Sequence, residues 1–172
     1  VNDNINLGLT ARQSKGSNDF DGTDFSTGLP SDSDIYSDFL NRTVRLNANI
    51  DSFDGRWQQQ VIYSYGKNDN DNFNSGVEDG NNESTKKQFK YLSSVNFDNK
   101  NHSLTALLER EEESFKQRGI VQFFGDPNQD RERNTDSVAL EYRGRFFQHW
   151  TVGLSARTDN NSEFDNAETY RF

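Results

Sequence analysis

Four carboxylates crowd one short stretch of this chain, Glu109, Glu111, Glu112 and Glu113. A carboxylate pair is the equipment for acid–base work on a glycosidic bond, but it must sit at a fixed separation across a cleft. No nucleophile, paired base or sugar-binding aromatic set stands beside these four. The stretch is expected to be a charged extension of a strand, and the chain is not expected to be an enzyme. Calcium is the second chemistry to weigh. Residues 68–72, Asn-Asp-Asn-Asp-Asn, offer oxygens in succession, yet Phe73 stands where an EF-hand loop requires its central glycine. Asp32 and Asp34 are equally unspecific. His102 and His149 are isolated imidazoles, and the absence of Cys removes thiolate catalysis, disulfides and cysteine metal sites. The glycines form no phosphate-binding pattern. No cofactor and no metal site are expected.

Composition narrows the class further. The 172 residues are 30% hydrophobic, well below a typical soluble domain, yet 13% aromatic, which disfavours disorder. Nineteen Lys and Arg against 28 Asp and Glu leave a net charge of −9, and no basic run with interleaved aromatics offsets it, so nucleic acid is not an expected partner. No apolar run approaches the roughly 18 residues of a helical membrane span. The chain opens at Val1 without a charged leader and closes on Tyr170-Arg171-Phe172, which looks like the onset of a strand; an internal piece of a longer protein is expected.

The elements that must carry these side chains announce themselves by a period of two. Ile5, Leu7, Leu9 and Ala11 share a face, as do Val44, Leu46, Ala48 and Ile50. The same alternation recurs over Trp57 to Tyr65, Phe89 to Phe97, Leu104 to Leu108, Val138 to Tyr142 and Trp150 to Ala156. That predicts seven strands within residues 1–172, with an eighth beginning near Glu168. Helical spacing is missing throughout. Tight hairpins are expected at residues 52–55, 98–101 and 145–148, where Asp, Asn and Gly suit turns. Between them lie long polar stretches at 13–41, 66–86 and 116–134, expected as loops gathered at one end of the sheet. The fold class predicted is all-β, an antiparallel meander of alternating long loops and short turns.

A transmembrane β-barrel reconciles sidedness, alternation and low hydrophobicity, because only alternate residues over about ten positions per strand need face lipid. Arg45, Asn47, Asn49, Gln58, Gln60, Lys90, Asn96, Glu109, Glu141, Arg143 and Arg157 would then face a wet lumen or a plug. Glu109 and Glu111, between the Lys90 strand and the Arg143 strand, would find opposite charges across the wall. Trp57, Tyr65, Phe89, Phe97, Tyr142, Phe146, Phe147 and Trp150 fit interfacial anchors. Asp69, Asp71, Phe123 and Phe124 are the candidates for extracellular loops, the last two within an apolar stretch, residues 119–127.

The segments Asn41-Arg42-Thr43-Val44-Arg45-Leu46-Asn47-Ala48-Asn49-Ile50, 103–115, 136–142, 149–157 and 168–172 resemble the β-barrel of outer-membrane TonB-dependent receptors. The resemblance implies a bacterial outer-membrane location and uptake of a scarce nutrient such as a siderophore, cobalamin or an oligosaccharide. It also implies the lipid bilayer, the remainder of the barrel, a plug domain and a TonB-type energy-coupling protein as partners. Such barrels have about 22 strands, so seven or eight make a segment of one. A soluble secreted or periplasmic β-rich binding or adhesion module is the alternative, and it requires Leu46, Val95, Leu108, Leu140 and Leu154 to meet in a dry interior.

Overall fold

Branched and aromatic residues at alternate positions favour the pleated conformation, and in the computed structural model each alternating segment lies in a strand. The structure describes residues 4–123, 125–147 and 149–172. Within them run β1 (Ile5–Thr23), β2 (Pro30–Ser52), β3 (Trp57–Asn74), β4 (Val77–Phe97), β5 (His102–Gly119), β6 (Gln129–Phe146), β7 (Trp150–Asn161) and β8 (Ala167–Arg171). They form one antiparallel sheet in chain order. The chain is an all-β meander. β1 and β8 are its two edges, and they do not pair with each other among the described residues.

The expected long loops are corrected by this structure. Of residues 13–41 only 24–29 connect strands, of 66–86 only 75–76, and of 116–134 only 120–128. Asp69 and Asp71 accordingly sit inside β3. Hydrophobic alternation reports which side chains are shielded from water, whereas a strand is made by backbone N–H and C=O groups that Asn and Ser possess as fully as Leu. Polar pairs across the strands take over where apolar contacts stop. Ser37 Oγ donates to Asn70 Oδ1 at 2.8 Å, Asn68 donates to Asn41, and Arg42 meets Asp69. Strands of 18 to 23 residues result in β1 to β6, roughly 60–75 Å at about 3.3 Å per residue.

Short turns at 53–56 and 98–101, and the short connection from Phe146 to Trp150, lie at one end of the sheet. At the other end, Ser75 and Gly76 take φ of +54° and +74°, the backbone of a two-residue type I′ hairpin. Close by, the register slips: Asn72 faces Gly80 while Phe73 faces Glu78, so β4 carries one extra residue. The resulting bulge presses Gly80 against β5, where a Cβ would lie 2.6 Å from the Arg118 carbonyl oxygen.

The sheet is a single layer. Ile62 is the one buried apolar residue among those described, and no described side chain is fully enclosed. Gly80→Ala should lower the unfolding free energy by roughly 1–3 kcal/mol, because the added methyl displaces backbone. Gly66→Ala, with nothing within 4 Å of its Cβ, should leave the urea midpoint unchanged or raised. Equal shifts in the two variants would remove close approach as the reason for Gly80.

Candidate functional site

Side chains of directly paired residues share a face, so the register sorts the sheet. Asn47 faces Ile62, which faces Lys90, then Glu109, Ser137 and Asp159 in turn. Neighbouring rows place Arg45 opposite Ser64, Asn49 opposite Gln60, and Gln58 in line with Ser94, Thr105 and Glu141. Asn96 aligns with Ser103 and Arg143, and Arg157 lies opposite Ala139. All eleven residues expected to share a wet side therefore lie on one face.

That face is concave. Side chains from β2, β3, β4, β5 and β6, with Phe164 from the β7–β8 connection, line one concavity of about 810 Å³. Its wall is held by charge. Lys86 Nζ meets Glu111 at 2.6 Å and Glu113 at 3.1 Å, Arg133 Nε donates to Glu113 at 2.8 Å, and the Arg133 guanidinium lies 5.8 Å from the Phe164 ring centre. Nearer the short turns, the almost buried Glu109 accepts from Gln88 at 2.8 Å, with Lys90 at 3.0 Å and Arg157 at 3.4 Å. Arg157 reaches it across β6, where Ser137 is buried beneath. No buried side-chain nitrogen or oxygen among the described residues lacks a partner.

The opposite charges expected to meet across the wall do so in part. Lys90 pairs with Glu109, but Glu111 takes Lys86, and Arg143 pairs with Glu141 on its own strand at 2.5 Å. Lys86 and Arg133 were missed. The alternation of Glu109, Glu111 and Glu113 marks them as sharing a face, yet only the register reveals which cations stand opposite. Asp69 serves as the partner of Lys67 and Arg42, at 3.1 Å for Lys67. Phe123 lies in the 120–128 connection and is almost fully exposed, while Phe124 falls outside the described residues. No group of three metal-ligating side chains gathers among the described residues.

The other face carries an uncovered apolar band. Leu46, Val95, Leu108, Leu140 and Leu154 are 44–51% exposed, and Leu7 and Leu9 more so. Its margin away from the short turns can be followed from strand to strand. Ala11, Val44 and Tyr65 stand level; Phe89, Leu108 and Ala156 each mark a two-residue step toward the short turns; Val138 is level with Leu108, and Tyr170 with Ala156. The margin thus shifts six residues over seven interstrand steps. With about 3.3 Å per residue and about 4.8 Å between strands, it crosses them obliquely, at roughly 30° from the perpendicular.

Aromatic rings border this band. Trp57, Phe97, Phe146 and Trp150 lie toward the short turns, where Phe53 stacks on Trp57 at 6.4 Å and His102 lies between Phe97 and Tyr142. Tyr142 shares a hydrogen bond with His102 Nδ1 at 2.7 Å. Tyr65 and Phe89 stand at the other margin, and Phe147 projects from a turn. His149 lies in that same turn.

No family model, curated protein or solved structure matches this chain. The functional reading rests on the two faces.

The concave network makes a pH prediction. The Arg133 guanidinium, helped by Lys86 and opposed by partial burial, holds the Glu113 carboxyl below its ordinary value of 4.5. A depressed carboxylate stabilises the fold above its ordinary pKa and loses that contribution as pH falls toward its native value. Glu113→Gln should cost roughly 0.5–1 kcal/mol at pH 7, and the gap to the parent should narrow below pH 4.5. Urea midpoints between pH 7 and pH 3 measure this; a gap that stays constant would assign the loss to packing.

Proposed function

We propose that this chain is a wall segment of a bacterial outer-membrane β-barrel of the TonB-dependent receptor type, in a protein that imports a scarce nutrient. The observation that carries the reading is the uncovered apolar band on the convex face. Nine residues from Phe89 to Phe97 span about 30 Å along the strand, roughly 21–24 Å of height at a strand tilt of 35–45°, against about 25 Å for the lipid-facing band of such barrels. Its oblique course supports the same reading, since barrel strands tilt 35–45° to the membrane normal while the lipid slab stays level. Short turns at one end and strands prolonged beyond the band at the other fit a periplasmic and an external side.

The concave face supports a lumen. It is mostly polar, with Ile62, Leu92 and Leu107 among its polar rows, and the concavity bounded by Lys86, Glu113, Arg133 and Phe164 opens beyond the band, where a ligand arriving from outside would first meet the wall. Unpaired backbone groups along β1 and β8 require partners within lipid, so further strands of the barrel would flank both edges. A plug and a TonB-type energy-coupling protein complete the proposed assembly, and a siderophore, cobalamin or an oligosaccharide is the cargo that the resemblance implies.

The test compares faces. In lipid vesicles Leu140→Arg, at mid-band, should cost about 2–4 kcal/mol, while Thr105→Arg on the concave face, in line with Glu141, should cost about 1 kcal/mol or less. Equal costs, or recovery of the intact protein in the soluble fraction of fractionated cells, would overturn the proposal in favour of a soluble binding module.

A further inference from the structure

The concavity beyond the band is walled in two different ways. On its β2–β3 side charge is sorted by face. Between Ile35 and Thr43 and between Ser64 and Asn74 the charged residues are Asp38, Arg42, Lys67, Asp69 and Asp71, and the register puts all of them on the convex side. Every concave-facing position in both stretches is uncharged, in a chain that is 27% charged. On the β4–β6 side the charges are matched. Lys86, Arg131 and Arg133 stand with Glu111, Glu113 and Glu163; Lys86 meets Glu111 and Glu113, and Glu113 also meets Arg133. Arg42, Lys67 and Glu132 touch the rim from the opposite face. A charged ligand therefore finds no surplus of the opposite sign.

We propose that this concavity binds a neutral oligosaccharide. Asn41, Asn68, Ser84 and Phe115 form one row across four strands. Asn68 donates to Asn41 Oδ1. That bond leaves the Asn41 amide nitrogen and the Asn68 amide oxygen without a hydrogen-bond partner among the described residues, as are the hydroxyls of Thr43 and Ser84. A sugar hydroxyl both donates and accepts, so an amide donor beside an amide acceptor answers a pair of neighbouring hydroxyls. The C–H faces of the sugar ring need apolar surface, which Phe115 and the largely exposed Phe164 supply at the border. Gly66, between Thr43 and Lys86, leaves a dent in the floor, since a Cβ there would meet nothing within 4 Å. The volume of about 810 Å³ falls within the roughly 300–1,000 Å³ of small-molecule sites. The inference rests on the reading of the concave face as a ligand-facing wall and selects one cargo chemistry from the three. A ferric siderophore of negative charge, or the phosphate of cobalamin, calls for a surplus of cations.

The experiment titrates the intact protein, in a detergent without a sugar headgroup, with maltotriose, cellotriose, mannotriose, a ferric tricatecholate and cyanocobalamin, read by calorimetry. At least one trisaccharide should bind with a Kd of about 1 mM or tighter, and more tightly than either of the other two probes. Gly66→Leu, which fills the dent, should weaken that sugar about ten-fold, and Thr43→Val, which removes one hydroxyl, about five-fold. Lys116→Gln, on the convex face, should leave the affinity unchanged. Because the Thr43 hydroxyl holds no other residue, its variant keeps the test valid if Gly66→Leu does not fold. No binding of any trisaccharide at about 10 mM, tighter binding of the tricatecholate or cyanocobalamin, or an affinity untouched in both variants would each overturn the site. The Leu140→Arg comparison in vesicles reads the lipid-facing proposal separately. A protein that passes it and binds no sugar loses this inference alone, and one that binds sugar from the soluble fraction of fractionated cells loses the barrel reading alone.

Discussion

The backbone ladder is the constraint on which this molecule depends. With no enclosed core, the sheet is held by N–H and C=O groups paired from β1 through to β8, and the register of that pairing decides which side chains share a face. A slip of one residue between β4 and β5 would carry Leu104, Ala106 and Leu108 to the concave side and separate Lys90 from Glu109. The apolar band and the charge network are therefore two consequences of one register. The bulge at Gly80 lies beyond both, where a local slip leaves the sorting of the faces intact.

On the proposed lipid-facing reading, two solvents would explain why a chain this polar can be ordered. An ordinary domain buries its apolar residues against each other and leaves polar ones in water. Here each strand presents a few apolar side chains on one face over part of its length and polar ones almost everywhere else. In water alone a single layer of this kind leaves Leu7, Leu9 and Trp150 about 70% exposed. On the proposed reading the same exposure would be favourable against lipid, and the concave face would keep its hydration.

Beyond the band apolar side chains are scattered, Leu40 and Phe73 on one face and Phe39 and Phe115 on the other, and the strands persist mainly through pairing of another kind. Lys67 with Asp69 and Glu83, Arg110 with Glu112 and Asp136, and Arg118 with Asp130 form on the convex side, while Glu113 bridges Lys86 and Arg133 on the concave one. Exposed pairs contribute little singly, about 1 kcal/mol or less. Their value here is cumulative and geometric, since each spans two strands or fixes a neighbour that does. The long polar strands wall the concavity where long loops were expected.

The sequence by itself determined the strand type, the three short hairpins and the division of each strand into two faces, because alternation of side chains is a local consequence of the pleat. Asn47, Gln60, Lys90 and Glu109 could be assigned to one side from their spacing alone. Strand length was not legible, since nothing in a run such as Asn68 to Asn72 distinguishes a polar strand from a polar loop until a partner strand offers it hydrogen bonds. Nor were the partners of the charges: Glu111 takes Lys86, 25 positions away, and Arg157 reaches Glu109 across an intervening strand. Curvature and the oblique course of the band arise only when all eight strands are laid side by side, because each is a relation between neighbours that no single segment contains.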